Sequence, residues 1–366
     1  MDIKVSVVMP VYNAHAFLRS SMDSLCNQTL KEIQIICVDD GSTDDTPEIL
    51  AEYAEKDSRV KIIRQNNAGA GAARNNGIGY ASGEYLSIVD CDDFFEPDML
   101  EKSYCLAREK DADMVVFGCD LYDDLTRQYR SGSYAIRREL LPDKQVFCAD
   151  DIKRDVFKVF IGWSWDKLFR REFVQENRMT FQEQRTTNDL LFVFNGLLRA
   201  KRIAVIPQVL AHHRRRNESL SVTREKSWHC FYDALMALRQ EMHKIGCYAR
   251  FEQDYLNYCV HFSLWNLNTL QEPTHTLLYN KLREEWFAEM GVLDHPESYF
   301  YNKYEYRCFR NVYEHPVEWV KKQEEIAQRR SGNLFFRAKQ CIEENGLRYT
   351  LKRVIGKLLG LLGEEK

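Results

Sequence analysis

The segment Ser87-Ile88-Val89-Asp90-Cys91-Asp92-Asp93-Phe94-Phe95 decides how this chain is interpreted. Its apolar start, with Gly83 before it and Pro97 after it, predicts a short buried strand that ends in acidic residues. Residues two apart on an extended backbone point the same way, so Asp90 and Asp92 can face one site. Paired carboxylates suit hard divalent cations, which bridge phosphate oxygens. The alternative is an acidic turn that only leads into the next helix.

Strand and helix patterns alternate around this segment from residue 5 to residue 118. Strands are predicted over Val5–Val11, Ile33–Val38, Val60–Ile63, Tyr85–Val89 and Met114–Gly118. Helices are predicted over Ala14–Leu25, Thr46–Lys56, Ala68–Tyr80 and Asp98–Lys110. This alternation predicts right-handed βαβ units and an α/β fold with a mostly parallel central sheet flanked by helices.

The pattern changes after Gly118. Residues 119–150 predict irregular strands or a hairpin over the sheet, and residues 151–222 predict short helices with a strand at Ile203–Ile206. From about Arg224 helix formers and aromatic residues dominate. We therefore expect a domain over 1–222, with halves at 1–118 and 119–222, followed by a helical, aromatic-rich region over 223–366.

Composition excludes several classes of protein. The 366 residues carry a formal net charge of −4, which gives no positive field to attract nucleic acid. The 11 cysteines contain no C-x-x-C pair, so neither a disulfide framework nor a zinc site is expected. With no signal-peptide pattern and no apolar run long enough to cross a bilayer, a cytoplasmic location is expected. Residues 347–362 form a basic amphipathic stripe that suits the inner membrane surface, the chain's own domain or a second subunit of a homo-oligomer.

Three loops follow parallel strands and are expected to meet at one edge of the sheet. They begin with Pro10-Val11-Tyr12-Asn13, Asp39-Asp40-Gly41-Ser42 and Asp90-Cys91-Asp92-Asp93. Together they offer an aromatic face, a carboxylate that can accept an N–H from a base, and a metal-binding pair. This combination predicts a nucleotide-diphosphate site, with ordinary turn chemistry as the alternative. The segment from Gly69 to Arg74 is not a dinucleotide fingerprint, because Arg74 stands at the third glycine's position.

Four segments resemble family 2 glycosyltransferases in order and spacing. They are Ser6–Asn13, Val38–Thr46, Asn66–Asn75 and Gly83–Asp93. The resemblance implies a GT-A fold and transfer of a sugar from a nucleotide-sugar, with inversion at the anomeric carbon and with Mn²⁺ or Mg²⁺. It is weaker through Trp165–Phe169 and Thr187–Phe192, and nothing is recognised beyond about residue 222.

The resemblance also assigns roles to residues. Tyr12, next to Pro10 and Val11, would lie against the base, which Asp40 or Asp39 would hydrogen-bond. Arg74 would lie near the diphosphate and Asp90 by the ribose. Asp92, next to Cys91, would be the main metal ligand. Further metal ligands would be Asp90 and His213.

The catalytic base implied by the resemblance is Asp189. Asn188 precedes it where the family usually has Glu, and an Asp at a helix start can also serve without catalysis. Arg214 to Arg216 could clamp the diphosphate or form solvated basic surface. Trp163 and Trp165 could contact an acceptor sugar, although buried core aromatics are the default interpretation.

The predicted function is an inverting, metal-dependent transferase of a hexosyl or N-acetylhexosaminyl group, with a UDP-sugar as the expected donor. The expected acceptor is a glycan or lipid-linked glycan of a growing capsule, exopolysaccharide or lipopolysaccharide. A non-catalytic glycan-binding or scaffold protein is the main alternative. A sugar nucleotidyltransferase is disfavoured, because such enzymes carry a glycine-rich segment with a basic residue where Pro10–Asn13 stands.

Overall fold

The computed structural model describes residues 2–215 and 224–322, in which nine strands form one sheet. The strands are β1 (Val5–Val11), β2 (Ile33–Asp39), β3 (Val60–Arg64), β4 (Tyr85–Ile88), β5 (Phe94–Phe95), β6 (Met114–Asp123), β7 (Gln128–Ser131), β8 (Lys167–Arg170) and β9 (Ile203–Arg215). The helices are α1 (Leu18–Cys26), α2 (Thr46–Lys56), α3 (Ala70–Gly79), α4 (Met99–Glu109), α5 (Arg171–Glu176), α6 (Leu190–Arg199), α7 (Cys230–Lys244), α8 (Tyr248–Thr269), α9 (Thr274–Lys281), α10 (Phe287–Glu289) and α11 (Lys303–Glu314).

The first half of the sheet is parallel, as expected. Its strand order is β3-β2-β1-β4, and all three pairs run parallel. Every residue of β1 is buried, because helices cover both faces of a parallel sheet and leave no side of the strand for polar residues. This arrangement aligns the carboxyl ends of β1, β2 and β4 at one edge.

The second half of the sheet is mixed. Strand β8 lies antiparallel between β4 and β6, and β6 runs parallel to β9. The sequence did not predict β8 or β5, since both are short and Lys167 interrupts the apolar pattern of β8. The prediction for β9 ended at Ile206, whereas the strand reaches Arg215. Within 119–150, β6 continues and forms a hairpin with β7.

The helical region shares one hydrophobic core with the sheet domain. Val8 of β1 and Val317 beyond α11 belong to the same buried cluster. Phe157, from a short 3₁₀ turn of the sheet domain, contacts Phe194 of α6 and Tyr258 of α8, with ring centroids 5.2 and 6.1 Å away. Packing therefore continues across the predicted boundary at residue 223.

The amphipathic stripe predicted over 347–362 lies outside the described residues. Within 2–215 and 224–322, each helix is either too short or too polar to cross a bilayer.

Candidate active site

The loops after β1 and β2 are tied together by Asn13. Its backbone N–H donates to Ser42 Oγ at 3.0 Å, and its side-chain Oδ1 accepts from the Thr43 N–H at 2.9 Å. Asn13 has φ of 47°, a left-handed conformation that asparagine tolerates. The preceding residue, Tyr12, is thereby left 50% exposed at the sheet edge. An exposed ring on a fixed loop can stack on a nucleobase.

Asp40 holds the next loop in shape. Its carboxylate accepts hydrogen bonds from Gln65 Nε2 at 2.8 Å, the Ala68 N–H at 2.9 Å and the Gly69 N–H at 2.8 Å. Gly69 has φ of 90° and ψ of 161°, a conformation essentially confined to glycine. Both oxygens of Asp40 are therefore engaged within the protein.

Asp39 differs from Asp40 in how its oxygens are used. One oxygen accepts the Ser42 N–H at 2.9 Å, while the other lies 3.4 Å from Nε of Arg64, whose side chain is largely exposed. The strand register places Asp39 opposite Val11, which is buried next to the equally buried Pro10. Asp39 is thus the better placed of the two to accept a hydrogen bond from a nucleobase.

The acidic turn after β4 forms a compact group of carboxylates. Ligand oxygens of Asp90, Asp92 and Asp93 lie within 4.8 Å of one another. Asp93 is fully buried, whereas Asp90 and Asp92 are partly exposed, as is Cys91 between them. Three carboxylates at this spacing fit a hard divalent cation such as Mn²⁺ or Mg²⁺. Asp93 was not among the predicted site residues.

His213 contacts Asp93 and lies outside this carboxylate group. Its Nδ1 lies 3.0 Å from Asp93 Oδ1, and its predicted role as a metal ligand stays a prediction. Burial by itself would lower the pKa of His213, but the charges of Asp93, Asp92 and Asp90 raise it to about 9. Burial also raises the pKa of Asp93, to about 6, against the effect of His213. At neutral pH the two form an ion pair.

Arg74 bridges two loops inside the protein. Its Nη2 donates to Asp90 Oδ1 at 2.6 Å and its Nη1 to Asn188 Oδ1 at 2.5 Å. The side chain is only 5% exposed, and its guanidinium lies over the ring of Phe181. The place near the diphosphate that the resemblance implied stays a prediction. In the structure the guanidinium connects the acidic turn to the loop before α6.

Asp189 directly precedes α6, but its carboxyl group does not cap the helix. Its backbone carbonyl accepts the Val193 N–H at 3.0 Å, while its side chain makes no capping hydrogen bond. Burial raises the pKa of Asp189 to about 6; Arg74 opposes this shift and Asp90 adds to it. Such a carboxylate is largely ionised at neutral pH and still basic enough to accept a proton.

Arg214 fixes the backbone of the acidic turn. Its Nε donates to the Asp92 carbonyl at 2.9 Å, its Nη1 pairs with Asp124, and its backbone N–H donates to Asp93 at 2.9 Å. The side chain is 8% exposed, so Arg214 is not part of a solvated basic surface, and its role as a diphosphate clamp stays a prediction. Arg215 is exposed, and Arg216 lies outside the described residues.

The two tryptophans after the β6–β7 hairpin have different environments. Trp165 is 2% exposed and stacks on His213 at 5.1 Å, which confirms the default interpretation of a core aromatic. Trp163 is partly exposed and stacks on Trp165 at 4.8 Å. The buried ammonium of Lys167 donates to the Trp163 carbonyl at 2.7 Å and to Asp166 at 2.5 Å, which fixes this loop.

Comparison with known proteins identifies the family. The family model for glycosyl transferase family 2 matches residues 6–178. EpsH of Bacillus subtilis (strain 168) is 31% identical over 287 residues, which cover 76% of this chain and 81% of EpsH. This chain belongs to glycosyltransferase family 2.

One further relative and one solved structure are similar to this glycosyltransferase. The poly(ribitol-phosphate) beta-glucosyltransferase of Bacillus spizizenii (strain ATCC 23059 / NRRL B-14472 / W23) is 29% identical over 307 residues, 80% of this chain and 45% of that protein. The crystal structure of S. aureus TarS 1–349 in complex with UDP-GlcNAc matches with a TM-score of 0.53 at 19% identity, over 83% of this chain and 91% of that one. This likeness confirms the GT-A fold.

Proposed function

We propose that this glycosyltransferase moves a sugar, with inversion and with the help of a divalent cation, from a UDP-sugar to a hydroxyl group of a growing cell-surface glycan. The observation that carries the proposal is the carboxylate group of Asp90, Asp92 and Asp93, which Arg74 links to the loop of Asp189. One buried guanidinium thus connects a proposed site for a diphosphate-bound cation with the loop that carries a candidate base.

The donor nucleotide would lie along the edge formed by β1, β2 and β4. Tyr12 offers its exposed ring to the base, and Asp39 offers an oxygen to a base N–H. Asp90 and Cys91 follow β4 and would border the ribose. Pro10 and Val11 support Tyr12 from within β1 rather than contacting the donor through their buried side chains.

The cation would be held by Asp90 and Asp92, with Asp93 completing the group. A bound Mn²⁺ or Mg²⁺ would neutralise negative charge on the departing diphosphate. Asp93 itself is positioned by the Arg214 N–H and by His213. The fully buried Asp93 and the ion pair it makes therefore fix the position of the cation site relative to β9.

The chemical step follows from the place of Asp189. As the acceptor oxygen forms its bond to the anomeric carbon, the bond from that carbon to the diphosphate oxygen breaks, and UDP leaves with the bonding electrons. The acceptor hydroxyl loses its proton to the carboxylate of Asp189. Attack from the face opposite the leaving group inverts the configuration at this carbon.

The acceptor class is the least constrained part of the proposal. The relative named above acts on poly(ribitol-phosphate), a polymer with repeated hydroxyl groups. A hydroxyl of a capsular, exopolysaccharide or lipopolysaccharide glycan, free or lipid-linked, offers the same nucleophile. A reaction at the inner face of the cytoplasmic membrane would suit a lipid-linked acceptor.

UDP release tests this proposal. UDP-GlcNAc, UDP-GalNAc, UDP-glucose and UDP-galactose are each incubated with the protein and Mn²⁺ or Mg²⁺, with and without a chelator, while UDP release and thermal stability are measured. One donor should stabilise the protein and release UDP only with the cation, and Asp92→Asn should abolish the stabilisation and most of the UDP release. Asp98→Asn, at a surface aspartate paired with Lys102, serves as the matched control. If no donor binds, the result contradicts the proposal and favours the non-catalytic scaffold protein.

A further inference from the structure

Helix α8 packs beside the helix that begins at the proposed base. Tyr258 of α8 is 8% exposed and meets Phe194 of α6 edge to face, with ring centroids 5.2 Å apart. Burial raises the pKa of Tyr258, and the charge of Asp189 adds to this effect. One end of an aromatic row on α8 therefore packs against α6, the helix that follows Asp189.

From Tyr258 this aromatic row leads outward along one face of α8. Tyr258 stacks on Phe262 at 5.4 Å, and Phe262 stacks on Trp265 at 5.6 Å with the ring planes 13° apart. Residues spaced by four and then three share one face of a helix. Seven residues at 1.5 Å each place Trp265 about 10 Å along α8 from Tyr258. Trp265 is 47% exposed at the outer end.

A second set of contacts independently places Trp265 near the base loop. Thr186, three residues before Asp189, donates its hydroxyl to Ser227 Oγ at 2.9 Å. Ser227 closes the 3₁₀ turn that starts at Arg224. The guanidinium of Arg224 lies 4.3 Å from the ring centre of Trp265 and donates to Asn266 on the same helix. Trp265 and Arg224 thus lie on the side of the protein that carries the base loop.

These two features match what a sugar ring needs from a binding surface. The C–H face of a pyranose packs on an exposed aromatic ring, and its hydroxyl groups accept hydrogen bonds from a guanidinium. The reaction fixes one acceptor hydroxyl at Asp189, so an acceptor longer than one sugar must extend from there across the protein. Trp265 and Arg224 lie on the side that such an acceptor would cross, because Ser227 of the same 3₁₀ turn contacts Thr186 of the base loop.

We propose that Trp265 and Arg224 form a distal subsite that binds a sugar of the acceptor glycan beyond the one that carries the reacting hydroxyl. The proposal rests on the glycosyltransferase function given above and adds where a longer acceptor is recognised. This subsite makes the enzyme selective for oligosaccharide over monosaccharide acceptors, and the residues that determine this selectivity lie on and beside α8 rather than in the sheet.

The test compares monosaccharide with disaccharide acceptors in full-length protein. The probes are p-nitrophenyl β-D-glucoside and N-acetyl-β-D-glucosaminide, with the cellobioside and chitobioside as their disaccharide partners. UDP release above the acceptor-free rate gives KM for each probe. The wild type should have a KM about tenfold lower for a disaccharide, as aromatic contacts of this kind provide. Trp265→Ala should lose this preference, and Trp265→Phe should keep part of it.

Trp319→Ala is the matched control, because Trp319 is also an exposed tryptophan, 41% exposed, and stacks on His315 beyond α11. It should retain the wild-type preference. The proposal is overturned if Trp265→Ala behaves like Trp319→Ala, or if the wild type prefers no disaccharide. Failure of the proposed glycosyltransferase function looks different, since no donor would then release UDP, either with or without an acceptor.

Discussion

Replacing Asn188 with Asp tests whether the Arg74 bridge sets the basicity of Asp189. The substitution exchanges one nitrogen for oxygen in a side chain that is 7% exposed and whose Oδ1 lies 2.5 Å from Arg74 Nη1. It places a second carboxylate beside Asp189, and like charges favour the protonated form of a carboxyl group. Because only ionised Asp189 accepts a proton, activity should rise with pH through its pKa of about 6. In the variant this rise should occur at higher pH.

The expected size of this shift in the pKa of Asp189 follows from the charges beside it. A neighbouring like charge shifts a pKa by about 1 to 3 units, and pairing of the new carboxylate with Arg74 favours the lower value. For a shift of about one unit, the ionised fraction of Asp189 at about pH 6 falls from roughly one half to roughly one tenth. The expected loss of kcat is therefore about fivefold near pH 6 and almost nothing near pH 8.

The assay is the initial rate of UDP release between about pH 5 and pH 9 at one saturating cation concentration, so that the cation affects both profiles alike. Asn195→Asp is the matched control, since Asn195 is equally buried in α6 and accepts a hydrogen bond from Arg199 at 2.6 Å. Superimposed profiles of wild type and Asn188→Asp would refute the reasoning. A uniform loss of activity at every pH would instead show that the substitution disturbs the structure and does not shift the pKa of Asp189.

Three further predictions follow from the site. Asp92→Asn should lower UDP release about a hundredfold and abolish thermal stabilisation by UDP with Mn²⁺, since the cation loses its main ligand. Asp39→Asn should raise KM for the UDP-sugar about tenfold with an unchanged melting temperature. Asp40→Asn should lower the free energy of unfolding by about 2 kcal/mol, because the 65–69 loop loses a charged hydrogen-bond acceptor. Equal effects of the two substitutions would contradict the different roles given to Asp39 and Asp40. Gly71→Ala should lower both the melting temperature and UDP release, because a Cβ there would lie 2.0 Å from a carbonyl oxygen of the segment before α6. Gly79→Ala is the control, since a Cβ there meets open space, and it should lower the melting temperature and UDP release much less.

Local patterns were sufficient for the parallel half of the fold. Runs such as Val5–Val11 are buried on both faces and end in turn residues, so strand, loop and edge could all be predicted from a few neighbouring positions. The expected convergence of the loops after β1, β2 and β4 followed from parallel topology alone. The GT-A fold agrees with these local predictions.

Contacts between distant residues could not be predicted in this way. Arg74 meets Asn188 across 114 residues, and Asp93 meets His213 across 120. No periodicity records such a pairing, so neither the Arg74–Asn188 contact nor the His213–Asp93 contact was predicted. Asp93 carried one available signal, since it extends the acidic run by a third carboxylate. Strand β8 was missed because four residues that include a buried lysine do not resemble a strand.

The shared core limits how this enzyme can acquire new specificity. Phe157 of the sheet domain is buried against α8, and Lys158 beside it pairs with Glu305 of α11, which also contacts His261. Losing a buried aromatic contact of this kind costs about 3 to 5 kcal/mol, a large share of a domain's stability. A chimera joined near residue 223 would lose several such contacts at once. Changes of acceptor are therefore expected to accumulate as paired substitutions on both sides of this interface, rather than through exchange of the helical region as a unit.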